Sequence, residues 1–152
     1  MPSPPPTAAA NTPPHPARAI LAVDDDVEIL RLLRETLVAF AHCTVDTSPS
    51  PEYAFELALR KPYDLFLFDY QMPVLTGATL YGFIRRVHDF GALRPPRPAP
   101  PLLLLSGHGE ERRARELLGE PGVRGLLAKP FNIDRLLTRV EACLPGVRPL
   151  PP

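Results

Sequence analysis

Five short strand-like runs alternate without exception with stretches of helical periodicity, and this alternation restricts the fold more than any other feature. The runs are AILAV (19–23), HCTVD (42–46), DLFLFD (64–69), LLLLS (102–106) and VRGLLA (123–128). Between and after them, apolar residues recur at three- and four-residue spacing. Leu30, Leu33, Leu37 and Ala41 mark a helix over 27–41, and Pro51 opens a short helix that ends at Arg60. A third helix over 78–88 is expected to turn Leu80, Phe83, Ile84 and Val87 inward. The charged stretch 109–119 is a fourth, and Asn132 caps a last helix carrying Ile133, Leu136, Leu137, Val140 and Leu144. Five βα units in a row predict an α/β fold with one parallel sheet and helices on both faces. Near-continuous apolar strands such as LLLL agree, because a parallel sheet is covered on both sides.

An apolar fraction of 45% is enough to build one packed core in 152 residues. Basic and acidic residues balance at 17 each, which argues against a chain that coats nucleic acid or another polyanion. Cys43 and Cys143 match neither a metal-ligand spacing nor a dense disulfide framework, and read as buried reduced thiols. The N-terminus lacks a basic start followed by an apolar core, and no apolar run approaches bilayer-spanning length. A soluble, cytoplasmic protein without membrane insertion is expected. Proline is the compositional anomaly, with 22 residues concentrated in 1–18, 95–101 and 145–152. The expected division is a proline-rich disordered arm (1–17), a folded domain (18–145) and a proline-rich tail (146–152), with 89–101 as a stiff surface connection.

In open α/β sheets the working crevice lies at the carboxyl ends of the strands. Here the first run ends in Asp24 and Asp25, the third in Asp69, the fourth in Ser106, and the fifth in Lys129 followed by Pro130. Taken singly, each is an ordinary cap, turn or loop residue; their joint placement carries the argument. Three carboxylates brought together repel one another and titrate as a coupled set, which a divalent cation relieves. All-oxygen ligands select a hard cation, Mg²⁺ or Mn²⁺. One carboxylate can then serve as nucleophile toward a phosphoryl group, with the metal, the Lys129 ammonium and the Ser106 hydroxyl facing its oxygens.

The segments ILAVDDD, LFLFDYQMPVLTG, LLLLSG and LLAKPF resemble the signature segments of response-regulator receiver domains, over about residues 18–145. The resemblance implies a flavodoxin-like sheet of order 2-1-3-4-5 and a phosphoacceptor at Asp69. It also implies Asp24 and Asp25 as the acidic pair, with Asp25 a direct metal ligand beside Asp69 and the backbone carbonyl of Gln71. Ser106 matches the switch hydroxyl and Lys129 the lysine that contacts phosphoryl oxygens, and the Lys129–Pro130 peptide is expected to be cis. Gln71, Gly107 and His108 occupy the positions that tune the lifetime of the phosphorylated state. The implied donor is a phosphohistidine on a sensor histidine kinase or a phosphotransfer protein. The implied output surface is the fourth helix, fifth strand and fifth helix, facing a partner protein or a second copy in a homodimer rather than nucleic acid. With no room for a DNA-binding unit after residue 145, output is expected to run through such a partner.

One position departs from the pattern: the second switch residue, commonly aromatic, is Leu126, which has no ring to swing between exposed and buried states. Two other readings compete. Asp24-x-Asp26 after a strand, with Ser106 and Lys129 later, is similar to the motifs of haloacid-dehalogenase-type phosphatases. No acidic pair follows the lysine to complete that site, however, and Asp69 would have no role. The other reading is a pseudo-receiver, a docking scaffold that is never phosphorylated; a small phosphodonor supplied with Mg²⁺ separates it from a working receiver.

Overall fold

The computed structural model describes Pro2 and residues 16–91, 93 and 95–148. Apart from Pro2, Pro16 and Ala17, the expected proline-rich arm lies outside the described residues, as do residues 149–152 of the expected tail. The chain runs β1 (Arg18–Val23), α1 (Val27–Phe40), β2 (Cys43–Ser48), α2 (Pro51–Arg60), β3 (Leu65–Asp69), α3 (Gly77–Asp89), β4 (Leu102–Ser106), α4 (Glu111–Glu116), a 3-10 turn (Leu117–Gly119), β5 (Val123–Ala128) and α5 (Ile133–Cys143). The strands form one sheet in the order β2-β1-β3-β4-β5, with every pairing parallel. This is the expected architecture and strand order.

Side chains of a strand point alternately to opposite faces, and here both faces are apolar. Ile20, Ala22, Leu65, Leu67, Leu103, Leu105 and Leu127 turn to one side, against Leu30, Leu33 and Leu37 of α1 and Leu136, Leu137 and Val140 of α5. Leu21, Val23, Phe66, Phe68, Leu102 and Leu104 turn to the other, against Ala54 and Ala58 of α2 and Leu80, Tyr81 and Ile84 of α3. The sequence order reverses between β1 and β3, so the connections after these two strands leave toward opposite halves of the sheet and open a crevice at their carboxyl ends. Helix starts are fixed locally. The side chains of Asp26, Ser50, Thr76 and Asn132 each accept a backbone N–H in the first turn of α1, α2, α3 and α5.

Several expectations are corrected. The fourth helix does not fill 109–119. Gly109 adopts φ +81° and the Glu110 N–H turns back to the Gly107 carbonyl, so α4 cannot start before Glu111. Phe83 (48% exposed) and Ile133 (43% exposed) point outward. In α3 the inward places go to Tyr81 and His88, whose Nδ1 lies 2.9 Å from the Ile84 carbonyl oxygen. Packing also continues past residue 145. Val147 is buried in the α1–α5 core, its carbonyl accepts the His42 N–H at 2.6 Å, and Glu141 takes the N–H groups of Gly146 and Arg148. In the long connection before β4, Arg97 reaches the carbonyls of Ala58, Leu59 and Lys61 at the end of α2. Cys43 and Cys143 are both buried and free.

Candidate functional site

Strand register decides which polar residues meet. Val23 lies opposite Phe68, so Asp24 and Asp69 leave neighbouring strands side by side. Asp69 lies opposite Leu105, and Ser106 opposite Ala128, so the hydroxyl follows on the next strand and Lys129 on the one after. The Lys129 N–H donates to the Ser106 carbonyl at 2.7 Å and holds the last two strand ends together. All four side chains thus reach the same edge at the β1/β3 crevice.

There the Lys129 ammonium donates to Asp24 Oδ2 at 2.6 Å and to Asp69 Oδ1 at 3.1 Å. Asp24 Oδ1 accepts the Asp26 N–H at 2.9 Å, which fixes the Asp24 carboxylate from both ends. Oxygens of Asp24, Asp25 and Asp69 all lie within 4.8 Å of one another. Asp24 and Asp69 are buried, whereas Asp25 is exposed at the mouth. The one ammonium is therefore divided between two carboxylates, with a third, Asp25, close beside them. Burial, and then the Asp24 charge, push the Asp69 carboxyl up to about 6, although Lys129 opposes this. Burial likewise raises Asp24 against the pull of Lys129. Burial acts against the Lys129 charge, yet the two carboxylates together hold its pKa above the usual lysine value.

The Ser106 hydroxyl is buried and has no hydrogen-bond partner among the described residues. Such a group is costly unless something supplies its bond. Next to it, the Gly107 N–H donates to the Glu110 carboxylate at 2.7 Å. The Glu110 charge also reaches Asp69 and adds to its upward shift. His108 is exposed on the same loop. On the other side of Asp69, Gln71 pairs with Thr76 across a tight loop, and the Gly77 N–H donates to the Tyr70 carbonyl at 2.9 Å. Only glycine fits at 77, because a Cβ there would run into the Asp69 carbonyl oxygen. Val74 at the loop tip is 91% exposed and held at φ +78°, a conformation that strains a β-branched residue. The Lys129–Pro130 peptide is cis. Leu126 lies apart from the carboxylates, half-buried on β5 between α4 and α5.

Sequence reasoning missed Glu110. Its signal was the three-residue spacing from Gly107, the reach by which a glutamate turns back on an N–H ahead of a helix. It also gave Gly77 no role, although a glycine closing a loop beside a site is a usual mark of close backbone approach.

What the strand ends gather is the donor set for a hard cation and for a tetrahedral anion: three carboxylates, one ammonium and an unpartnered hydroxyl. Residues 20–141 match the family described as the response regulator receiver domain, and the chain belongs to that family. Its class is thus the receiver domain of two-component response regulators. The chain is 33% identical over 126 residues to the transcriptional regulatory protein CpxR homolog of Haemophilus influenzae, covering 82% of this chain and 49% of that protein. It is 30% identical over 122 residues to sensor histidine kinase TmoS of Ectopseudomonas mendocina, covering 80% of this chain and 12% of the kinase. The chain therefore spans half or less of these relatives. Among solved structures, chemotaxis protein CheY4 of Vibrio cholerae superposes with a TM-score of 0.67 at 27% identity, over 84% of this chain and 99% of that one. No helix among the described residues is long and apolar enough to cross a membrane.

Proposed function

We propose that this domain accepts a phosphoryl group on Asp69 from a phosphohistidine of a sensor histidine kinase or a phosphotransfer protein. A carboxylate oxygen of Asp69 forms the new O–P bond as the donor's P–N bond breaks, and the electron pair leaves with the imidazole nitrogen. The observation that carries this reading is the Ser106 hydroxyl, buried and without a partner among the described residues, at the edge where three carboxylates gather and one ammonium is divided between two of them. A protein selected for stability alone gains nothing from that arrangement, whereas a transferred phosphoryl group satisfies it. The phosphoryl oxygens accept from the Ser106 hydroxyl and the Lys129 ammonium.

Asp24, Asp25, Asp69 and the Gln71 carbonyl would hold Mg²⁺ or Mn²⁺, and the donor chemistry fits, being all oxygen with net negative charge. The ion supplies neutralisation of charge on the transferred group. Lys129 holds Asp24 and Asp69 in place before the donor arrives. Gln71, Gly107 and His108 border the phosphoryl position and control how water reaches it, and thus the rate of autodephosphorylation. The domain catalyses its own modification rather than turning over a substrate. Its output passes through the α4–β5–α5 face to a protein partner, in the cytoplasm, with Leu126 replacing a swinging aromatic ring.

Acetyl phosphate with Mg²⁺, followed by intact-protein mass measurement, tests the reading. The expected result is a gain of one phosphoryl group in the parent chain and none in Asp69→Asn. No gain in the parent with any donor would leave a docking scaffold instead.

A further inference from the structure

Between α4, β5 and α5 lies a groove of about 370 Å³ whose charge is far from that of the chain as a whole. The whole chain balances 17 basic against 17 acidic residues. This groove is walled by Arg115, Arg124, Arg135 and Arg139, with Glu111 its single carboxylate and Leu126 in its floor. All four arginines are exposed, and none forms an ion pair among the described residues. Elsewhere Arg31, Arg60 and Arg85 pair with Glu35, Glu56 and Asp89 one helical turn away, while Arg34, Arg86, Arg112 and Arg113 are exposed and unpaired among the described residues; the groove differs in gathering four arginines around a single carboxylate. Four unpaired guanidinium groups around an apolar floor make a planar, multidentate receptor for carboxylates.

We propose that the occupant of this groove is an acidic segment of a partner protein, with an apolar side chain set on Leu126 and its carboxylates on the arginines. The inference rests on the receiver reading above and names the partner's chemistry. A second copy of this chain does not fit. A two-fold interface sets the same patch against itself, so arginine would meet arginine, with only Glu111 of each copy to offset them. Partner recognition by α4–β5–α5 in this domain is therefore electrostatically selective and weakens with added salt.

The test is selection of a random peptide display library on the full-length chain, followed by titration of the enriched peptides against the parent and an Arg124→Glu/Arg139→Glu variant. Both arginines are exposed and lie away from the carboxylate crevice, so the variant keeps its acetyl phosphate modification at Asp69. Enriched sequences are expected to carry excess Asp and Glu around an apolar residue. Their affinity should fall at least about tenfold in the variant, the loss of two charge contacts. Basic or neutral winners, no winners, or equal affinity for both proteins would overturn the inference. So would a parent dimer in sedimentation that the variant abolishes. Because modification of Asp69 is read on the same samples, a failed groove with normal phosphorylation is distinguished from a failed receiver.

Discussion

Two carboxylate–lysine clusters sit in this chain, and they titrate in opposite directions. In the first, the Asp46 carboxylate on β2 accepts from the Lys61 ammonium at 2.5 Å and from the Tyr63 hydroxyl at 2.6 Å. Burial pushes Asp46 up, but the bonds from Lys61 and Tyr63 outweigh it and hold the carboxyl below the usual range. In the second, Lys129 is divided between Asp24 and Asp69, and both carboxyls are raised. The difference lies in stoichiometry. One cation and one hydroxyl for one carboxylate satisfy it, and the cluster ties α2 and the start of β3 to an edge strand. One cation for three carboxylates leaves a deficit that a metal ion can fill.

The largest effect should appear as pH dependence in cation-free protein. The Asp69 pKa is raised from 3.8 to about 6, so its stabilising contribution is full below 3.8 and is lost as pH climbs through 6. At about 1.4 kcal/mol per pH unit, that window is worth at most about 3 kcal/mol. Asp46 behaves oppositely: its contribution is present above the unfolded value of 3.8 and is lost only as pH falls through its lower folded value. In EDTA, the urea midpoint of the parent should therefore rise between about pH 7 and about pH 4.5, while that of Asp69→Asn should stay flatter. Equal slopes for the two proteins would remove the contrast between the clusters.

Mg²⁺ should act in the opposite sense, because it favours the ionised carboxylates. At a hundredfold excess over the dissociation constant it adds about 2.7 kcal/mol, read as a higher melting temperature at neutral pH. The gain should vanish in Asp25→Ala, which removes the carboxylate at the mouth of the crevice without touching the Lys129 contacts. A gain that survives in that variant would place the ion elsewhere.

The strand order was legible only through the resemblance to receiver domains. The parallel sheet and its polar strand ends were legible because continuous apolar runs and 3.6-residue periodicity report burial directly, and LLLL or LFLF cannot be solvated. The convergence of Asp24, Asp69, Ser106 and Lys129 was legible for the same reason: parallel topology sends every strand's end to one edge. Glu110 was not, since its role depends on Gly109 turning the chain so that α4 starts late. Phe83 and Ile133 were misjudged because apolar spacing alone does not show how wide a stripe a helix can cover when its neighbour is narrow. The Asp46 cluster was also invisible. It joins β2, the end of α2 and Tyr63 in the connection to β3, a contact that no local spacing encodes.

Glu110 bears on the crowded cluster, since it adds to Asp24 a second negative charge that raises Asp69 and occupies the Gly107 N–H next to the unpartnered hydroxyl. Glu110→Gln removes the charge and keeps the reach, whereas Glu110→Ala also frees the N–H. Removing a nearby like charge at the protein surface is worth on the order of 1 kcal/mol, so modification of Asp69 by acetyl phosphate should run about fivefold faster in Glu110→Gln, and faster still in Glu110→Ala. Rates equal to the parent in both variants would show that the carboxylate is a bystander.

The smallest effect is expected at the satisfied cluster. Tyr63→Phe deletes one hydrogen bond to Asp46 but leaves the Lys61 contact in place, and the ring keeps its packing against Phe66. A bond of this kind contributes about 1 kcal/mol, so the urea midpoint should fall slightly. The rate of Asp69 modification should not move, because no hydrogen bond or ion pair among the described residues links Asp46, Lys61 or Tyr63 to the carboxylate crevice. A change in that rate comparable to the one at Glu110 would mean that the two clusters communicate through β1, which separates β2 from β3, and the distinction between a structural and a functional carboxylate would fail in this chain.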